Sequence, residues 1–277
     1  MPEKLTVLIP CKNEERNIRP CIESARGIAD ELLVADSGST DRTMEIAREY
    51  GARIIEREYV NSANFKNWAI PQAAHPWVLV VDSDERVTPE LASEIRTVIA
   101  GTPRFDGYRI FRRNHIMGRP VRHSGWGSDH VIRLFKRDVC RYEERRVHAD
   151  VIVASGKVGT LRGRLLHYTY WTFGQFVEKL DRYTTWAAQD LYDKGRRAGF
   201  VSLVLRPAFR FFRHYVLHLG FLDGRAGAIV SMLSAFAVHL KYAKLWQMRH
   251  GLPQPDPEAD RRGAPADARG GGAGPDA

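Results

Sequence analysis

Cysteine is scarce in this sequence, and the three that occur, Cys11, Cys21 and Cys140, form no C-x-x-C pair and no ligand cluster. An odd and sparse count argues against a disulfide framework, because secreted disulfide-rich domains carry paired cysteines at high density. We therefore expect a protein of a reducing cytosol.

Long apolar runs are also lacking. A helix needs about 20 mostly apolar residues to span a bilayer. The longest uncharged run, 226–240, is shorter than that and contains Ser231, Ser234 and His239. The first residues lead directly into an apolar strand pattern without the layout of a signal peptide. These features predict a soluble or membrane-surface protein.

Negative charge is under-represented. The chain of 277 residues carries 42 Lys and Arg against 33 Asp and Glu, a formal net charge of +9, and 44% of it is hydrophobic. That apolar content suffices for one sizeable core, or for a core domain with an attachment. A basic chain can bind nucleic acid, an anionic membrane surface or anionic substrates. Because no recognised nucleic-acid motif occurs, we expect no nucleic-acid partner.

The first hundred residues alternate between strand and helix patterns, and later residues give strands and then helices. Strands are predicted at 5–9, 31–35, 53–55, 77–81, 107–114, 130–136 and within 151–166. Helices are predicted at 13–27 with Asn13 as cap, and at 41–50, 61–74, 89–100, 173–194 and 200–248. The initial βαβα order predicts an α/β fold with a mostly parallel sheet.

The composition divides the chain into three regions. We predict an α/β domain at 1–170, a helical region at 171–250 and a tail at 251–277. The tail consists of Pro, Gly, Ala, Asp and Arg with almost no apolar residues, which is typical of a disordered segment.

One apolar strand pattern, 77–81, is followed by two carboxylates, Asp82 and Asp84. Its two apolar faces predict a buried parallel strand. Burying a bare carboxylate costs several kcal/mol unless something pairs with it, so two acids here suggest a cation. They follow the carboxyl end of a strand, where open α/β sheets bind ligands, and a carboxylate-held divalent ion usually serves phosphates. A strand-end turn with Asp as a helix cap is the alternative.

Polar residues follow two further strands, at 10–14 and 36–41. In a parallel sheet all three strand ends converge on one edge. A nucleotide requires acceptors for base and ribose, helix N-termini for phosphate, and a metal between the phosphates. Helix caps alone would explain Asn13 and Asp41, but not acids at all three strand ends.

These segments resemble the motifs of the family 2 glycosyltransferases, which have the GT-A fold. The resemblance rests on 9–14, 36–43 and 82–84 and covers about the first 150 residues. It implies inverting sugar transfer from a nucleotide-activated donor, usually with Mg²⁺ or Mn²⁺. It further implies that Pro10, Glu14 and Asp36 contact base and ribose, that Asp82 lies near the ribose, and that Asp84 ligates the metal. The full set of predicted substrate-binding residues is Pro10, Asn13, Glu14, Asp36, Ser37, Asp41, Lys66, Asp82 and Arg133.

The second half is similar, more narrowly, to the bacterial lipopolysaccharide core glucosyltransferases of that family. The supporting segments are 63–67, 129–135, 147–148 and 220–225. This resemblance implies a UDP-sugar donor, in particular UDP-glucose, and a lipopolysaccharide core or other lipid-linked acceptor. Relatives usually carry Glu after the Val-His pair at 147–148, whereas this chain has Ala149 followed by Asp150.

Inverting transfer requires a base that takes the proton of the acceptor hydroxyl. Asp129 is the first choice, with a turn cap as its alternative role, and Asp150 is the second. His148 is a candidate third metal ligand, although imidazole suits Mn²⁺ poorly and a lone His is more often structural. Lys66 and Arg133 are candidates for holding phosphate.

The helical region carries an amphipathic pattern. Apolar residues recur at helical spacing and basic residues gather on a neighbouring face, namely Leu205, Phe209, Phe212, Val216 and Leu219 beside Arg206, Arg210, Arg213 and His214. This layout is typical of a helix lying in a membrane interface, and an amphipathic helix docked on the catalytic domain is the alternative. We expect a cytoplasmic protein bound peripherally to the inner face of the cytoplasmic membrane.

Three alternative functions remain open at this point. A polyprenyl-phosphate glycosyltransferase would share the motifs and differ in its acceptor. A nucleotidyltransferase would normally carry a Gly-rich basic loop after the first strand, and 10–14 contains no Gly. A basic nucleic-acid-binding module would fit the charge, but acids at the sheet edge would repel phosphate without a metal.

Overall fold

The computed structural model describes residues 3–127, 129–144 and 150–251. Within them the strands are β1 (Leu5–Cys11), β2 (Glu31–Asp36), β3 (Arg53–Glu56), β4 (Trp77–Val80), β5 (Glu85–Val87), β6 (Gly107–Ile116), β7 (Arg119–Pro120), β8 (His130–Lys136), β9 (Cys140–Tyr142), β10 (Val151–Val153) and β11 (Val158–Tyr170). The α-helices are α1 (Glu15–Ala25), α2 (Thr43–Glu49), α3 (Ser62–Ala69), α4 (Pro89–Ala100), α5 (Phe173–Asp193), α6 (Arg206–Phe212) and α7 (Gly224–His250). His148 and 252–277 of the predicted tail lie outside the described residues.

The main sheet has nine strands in the order β3-β2-β1-β4-β8-β6-β11-β5, with β7 paired to β6. The first four strands are parallel to one another. β8 runs antiparallel to β4 and β6, β11 runs parallel to β6, and β5 runs antiparallel to β11. β9 and β10 form a separate antiparallel pair. The predicted α/β fold with a mostly parallel sheet is confirmed.

Helices cover both faces of the parallel strands. Val7 and Ile9 of β1 belong to a core that includes residues of α1 and α4, whereas Leu8 belongs to a second core with Phe65 and Ala69 of α3. All three β1 residues are inaccessible to solvent. Burial on both faces is the reason that these strands are continuously apolar rather than alternating.

Strand directions bring the polar strand ends together. The carboxyl ends of β1, β2, β4, β6 and β11 lie at one edge of the sheet, as the parallel and antiparallel pairings require. β8 runs the opposite way, so Asp129, which directly precedes it, lies at the same edge. Asn114 near the end of β6 is in register with His167 of β11.

Asn13 is not the helix cap that the sequence pattern predicts. It has a φ of 52°, and α1 begins two residues later without a side-chain cap. Its side-chain oxygen instead accepts a hydrogen bond from the backbone N–H of Thr40 at 2.8 Å. Asn tolerates this left-handed conformation better than most residues, which lets it join the loops after β1 and β2.

The C-terminal helices pack on one another and on the sheet domain. α5 begins with a capping box formed by Thr172 and Gln175, and α6 lies between two π-helical segments, Val201–Leu205 and Arg213–Leu217. A 3₁₀ turn, Gly220–Asp223, separates this stretch from α7. The region at 200–248, predicted to be largely helical with a candidate second helix at 226–246, consists of two helical stretches with a sharp turn between them.

By length and composition, the segment Gly220–His250 is long and apolar enough to cross a membrane. This corrects the expectation that no segment of the chain would reach that length. α7 also packs against α5, and Ala188, Tyr242 and Leu245 share a small buried core there. Core helices of soluble proteins meet the same criteria, so length and composition alone do not place this helix in a membrane.

Candidate active site

Asp82 lies between two buried cations, two residues after the end of β4. The Lys66 Nζ is 2.7 Å from Asp82 Oδ1, and the Arg133 guanidinium donates to Asp82 Oδ2. Lys66 is supplied by α3 and Arg133 by β8, and both are less than a tenth exposed. Burial would raise the pKa of Asp82, but Arg133 and Lys66 outweigh it and hold that pKa well below its usual range.

The alternation of acidic and basic side chains continues from Asp82 to Asp129, the residue predicted to act as the base. Glu85, which is fully buried, accepts a hydrogen bond from Arg133 at 2.8 Å and lies 3.5 Å from Arg112. Arg112 in turn holds both carboxylate oxygens of Asp129 at 2.9 Å. Burial raises the pKa of Asp129, and Arg112 more than offsets it, so the pKa lies below the ordinary value. Asp129 is therefore an ionised carboxylate in a fixed orientation.

A second chain of contacts joins Asp129 to Asp84. The Asn114 side-chain nitrogen donates to Asp129 Oδ2 at 3.0 Å and to the Trp126 carbonyl at 3.1 Å. Its side-chain oxygen therefore faces His167 Nδ1 at 2.6 Å, which assigns the proton of a neutral imidazole to Nδ1. The His167 Nε2 lies 3.4 Å from Asp84 Oδ2.

This arrangement fits a divalent cation. In the neutral tautomer that Asn114 selects, the Nε2 lone pair of His167 faces the Asp84 carboxylate, and a shared cation between the two would relieve that repulsion. When His167 is protonated instead, burial still raises the pKa of Asp84, but the imidazolium charge and its Nε2–H outweigh burial and lower that pKa overall. Within the described ranges, no three His, Cys, Asp or Glu side chains form a preformed cage. A cation here would need further oxygen ligands from a bound substrate.

The predicted donor-side residues gather in the loops after β1 and β2. Asp36 Oδ2 accepts the backbone N–H groups of Gly38 at 3.1 Å and Ser39 at 2.9 Å, and Ser37 donates to the Cys11 carbonyl. Pro10 lies beside them, paired in register with Ala35. The structure thus brings Pro10, Asn13, Asp36 and Ser37 together around one pair of loops.

The Asp41 carboxylate accepts backbone hydrogen bonds at the N-termini of two helices. Its Oδ1 accepts the Thr43 N–H at 3.0 Å at the start of α2, and its Oδ2 accepts the Glu15 N–H at 3.2 Å at the start of α1. Burial opposes the resulting shift, but the Thr43 hydrogen bonds lower the pKa of Asp41. Its carboxylate is therefore occupied by backbone groups, and its donor contact stays a prediction.

Glu14, in the loop after β1, is linked through Asn17 to the residues just before α5. Asn17 donates to Glu14 Oε2 at 2.7 Å, and the same Asn17 accepts from the Trp171 indole at 3.0 Å. Burial, with a contribution from Asp84, raises the pKa of Glu14. Trp171 lies two residues before the start of α5, so this contact fixes the start of that helix beside the site.

Three further predicted site residues lie within the described part of the chain, namely Asp150, Lys66 and Arg133. Asp150 is exposed and precedes β10, and its backbone carbonyl accepts the Glu143 N–H at 2.9 Å. His148 lies outside the described residues, and the imidazole that the structure places beside Asp84 is that of His167. The Lys66 and Arg133 cations are directed at Asp82 rather than exposed for phosphate.

The sequence reasoning missed residues on strands beyond 100. Asn114 and His167 are polar residues near the carboxyl ends of β6 and β11, so the strand-end signal used for the first half would have found Asn114. Lys179 of α5 was also missed. Burial lowers its pKa, but Tyr170 and Asp84 reverse the shift and raise it, so its ammonium stays charged near the site.

The model of the family "Glycosyl transferase family 2" matches residues 6–163, more than half of the chain. The chain belongs to glycosyltransferase family 2. Its sheet, with the motifs at 9–14, 36–43 and 82–84 at the carboxyl ends of β1, β2 and β4, is the GT-A fold that the sequence predicted, and the protein is a glycosyltransferase. The matched region ends before His167 and Lys179.

Relatives are similar over nearly the whole chain. The lipopolysaccharide core biosynthesis glycosyltransferase LpsC of Rhizobium meliloti (strain 1021) is 31% identical over 255 residues, covering 90% of this chain and 93% of LpsC. An uncharacterized glycosyltransferase of Rickettsia typhi is 29% identical over 258 residues, covering 89% and 88%.

Among solved structures, glucosyl-3-phosphoglycerate synthase from Mycobacterium tuberculosis, in complex with Mn²⁺, UDP and glucosyl-3-phosphoglycerate, is similar at 26% identity and a TM-score of 0.36. The match covers 40% of this glycosyltransferase and 44% of that chain.

Proposed function

We propose that this glycosyltransferase moves glucose from UDP-glucose, with inversion, to a lipopolysaccharide core or other lipid-linked acceptor, assisted by Mg²⁺ or Mn²⁺. The acceptor class is supported by the similarity to LpsC along 93% of that protein. The observation that carries the chemistry is the Asp84–His167 pair, 3.4 Å apart at the carboxyl edge of the sheet.

Asp84 and His167 would hold the cation, which when bound would neutralise the donor diphosphate. Lys66 and Arg133 act one step away, because they keep Asp82 ionised and oriented toward the donor. Lys179 of α5 supplies a further positive charge on the diphosphate side, where charge develops as the nucleotide leaves.

Asp129 would accept the proton of the acceptor hydroxyl. Arg112 and Asn114 leave it ionised and immobile, as a base requires before the reaction. The lowered pKa makes Asp129 a weaker base, so its contribution depends on orientation as much as on basicity. Asp150, exposed at the start of β10, is the second candidate for this role.

The experiment is calorimetric titration with a panel of UDP-sugars, with and without Mn²⁺, combined with a transfer assay. Wild type should bind one UDP-sugar in a metal-dependent manner, and Asp84→Ala and His167→Gln should lose that dependence. His75→Gln is the matched control, because His75 precedes β4 at the opposite edge of the sheet.

Asp129→Asn should retain donor binding and lose transfer, and near-normal transfer in that variant would remove Asp129 from the mechanism. Binding of no UDP-sugar by wild type would contradict the proposed donor. Transfer to a polyprenyl phosphate, with none to lipopolysaccharide core, would contradict the proposed acceptor.

We also infer a cytoplasmic location with peripheral attachment to the inner membrane surface. Large apolar side chains of the helical region are exposed, among them Phe200, Phe209, Leu217 and Leu222, each more than half exposed. Of the most apolar 18-residue stretch within Gly220–His250, 22% is buried against the rest of the protein. Arginines at 206, 210 and 213 lie among these side chains, which favours an anionic lipid surface.

Attachment is tested by sedimentation with vesicles of phosphatidylglycerol and phosphatidylcholine at low salt. Binding to the anionic vesicles, weakened by salt and by Phe209→Asp, is expected. Equal recovery in the supernatant with and without vesicles would contradict it. Release from native membranes by alkaline carbonate is the result expected of a peripheral protein, and retention would indicate a spanning helix instead.

A further inference from the structure

The turn at 220–225 lies far from the donor motifs in sequence, yet it contacts the loop that leads to Asp129. This turn is tightly bent, with φ values of 54° at Leu219 and 58° at Gly224. It joins the π-helical segment Arg213–Leu217 to α7. The loop in question, 121–127, connects β7 to the residues before β8.

The carboxylate of Asp223 is the centre of this contact. Asp223 Oδ1 accepts the backbone N–H of Arg122 at 3.2 Å, and Oδ2 accepts the backbone N–H of His123 at 2.8 Å. The His123 Nδ1 lies 3.0 Å from Oδ1. The Asp223 side chain is 5% exposed, so a buried carboxylate is satisfied by a loop one hundred residues away in sequence.

The Asp223 carboxylate does not cap the helix that Asp223 itself begins. It occupies the N-cap position of α7, where an Asp side chain usually accepts an N–H of its own helix. Here it makes no side-chain cap hydrogen bond. The side chain is turned toward the 121–127 loop instead, which indicates that holding the loop is its particular role.

The 121–127 loop connects the Asp223 contact to Asp129. The Trp126 N–H donates to the His123 carbonyl at 3.0 Å, and a methyl group at Gly127 would lie 1.8 Å from the Arg122 carbonyl oxygen, so the loop closes tightly on itself. The Trp126 carbonyl then accepts from the same Asn114 nitrogen that donates to Asp129.

We propose that Asp223 is a positioning residue, which holds the 121–127 loop so that Trp126 and Asn114 keep Asp129 in its reactive orientation. The inference rests on the proposed role of Asp129 in sugar transfer. Without Asp223, the backbone N–H groups of Arg122 and His123 lose their acceptor, and the loop should shift. A displacement of about 1 Å at the reacting group can reduce turnover about 100-fold.

The test compares Asp223→Ala and Asp223→Asn with Asp138→Ala, a control at an exposed carboxylate that pairs with its neighbour Arg137. Hydrogen exchange of the Arg122 and His123 amides should accelerate in Asp223→Ala and to a smaller extent in Asp223→Asn, which keeps one accepting oxygen. The kcat for transfer should fall about 10- to 100-fold in Asp223→Ala, with metal-dependent UDP affinity unchanged. Asp138→Ala should match wild type in both measurements.

Unchanged exchange in either Asp223 variant would overturn the inference, and so would faster exchange with an unchanged kcat. If Asp223→Ala does not fold, Asp223→Asn supplies both readouts. If wild type transfers no sugar, the proposed function fails on that result alone. The exchange measurement still reports whether Asp223 holds the loop.

Discussion

Arg133 is the cation on which two carboxylates of the site depend. Its guanidinium donates to Asp82 and to Glu85, and its side chain is 4% exposed. In Arg133→Met, the Asp82 carboxylate keeps the Lys66 contact at 2.7 Å, and Glu85 keeps a longer contact to Arg112 at 3.5 Å. The variant therefore leaves negative charge in the interior that is incompletely compensated.

Removing one partner of a buried ion pair costs about 3–5 kcal/mol, because the remaining charge stays desolvated. For a protein of this size, roughly 2–4 °C of melting temperature corresponds to each kcal/mol, which gives a decrease of roughly 6–20 °C. Thermal unfolding followed by circular dichroism at neutral pH measures it. The exposed pair of Arg42 and Glu45 supplies the control, and Arg42→Met should leave the melting temperature unchanged.

The sign of the pH dependence follows from Asp82. Its pKa is lowered in the folded protein, so its contribution to stability is present at neutral pH and is lost as pH falls through that lowered pKa. In Arg133→Met this contribution is smaller, so the difference in melting temperature between the variant and wild type should narrow as the pH is lowered. Adding Glu85→Gln to Arg133→Met should recover about 0.5–3 kcal/mol, since a neutral amide is less costly to bury. A melting temperature close to wild type, or no recovery in the double variant, would refute this reasoning.

Two further predictions concern the helical region. Burial, with Arg210 nearby, lowers the pKa of His214 to about 4, so wild type should lose stability as pH falls from 6.5 toward that value. In His214→Gln this loss should be smaller, and identical pH profiles of melting temperature would contradict it. In Gly227→Ala the new methyl group would lie 1.8 Å from the Gly220 carbonyl oxygen, so urea unfolding should show a loss of roughly 1–3 kcal/mol. The control Gly174→Ala has its nearest neighbour at 3.9 Å and should be neutral or stabilising.

Much of the fold was predictable because it depends on local patterns. Continuous apolar runs such as 77–81 identify strands that are buried on both faces, and the residues after each run identify the edge of the sheet. The three motifs at 9–14, 36–43 and 82–84 were enough to indicate the family. The helix cap at Asn13 was wrong, because its side chain bonds to a loop 27 residues away.

The sequence by itself determined the alternation of β1 to β4 with α1 to α3, the motifs at 9–14, 36–43 and 82–84, and the family, since each depends on residues close together in the chain. It did not reveal the short strands β5, β7 and β9. Tertiary structure decided which side chains meet. His167 reaches Asp84 and Asn114 only because β11 lies between β6 and β5, and Asp223 reaches the 121–127 loop only because α7 folds back onto it. Such contacts depend on strand order and register between distant segments, and no local spacing encodes them.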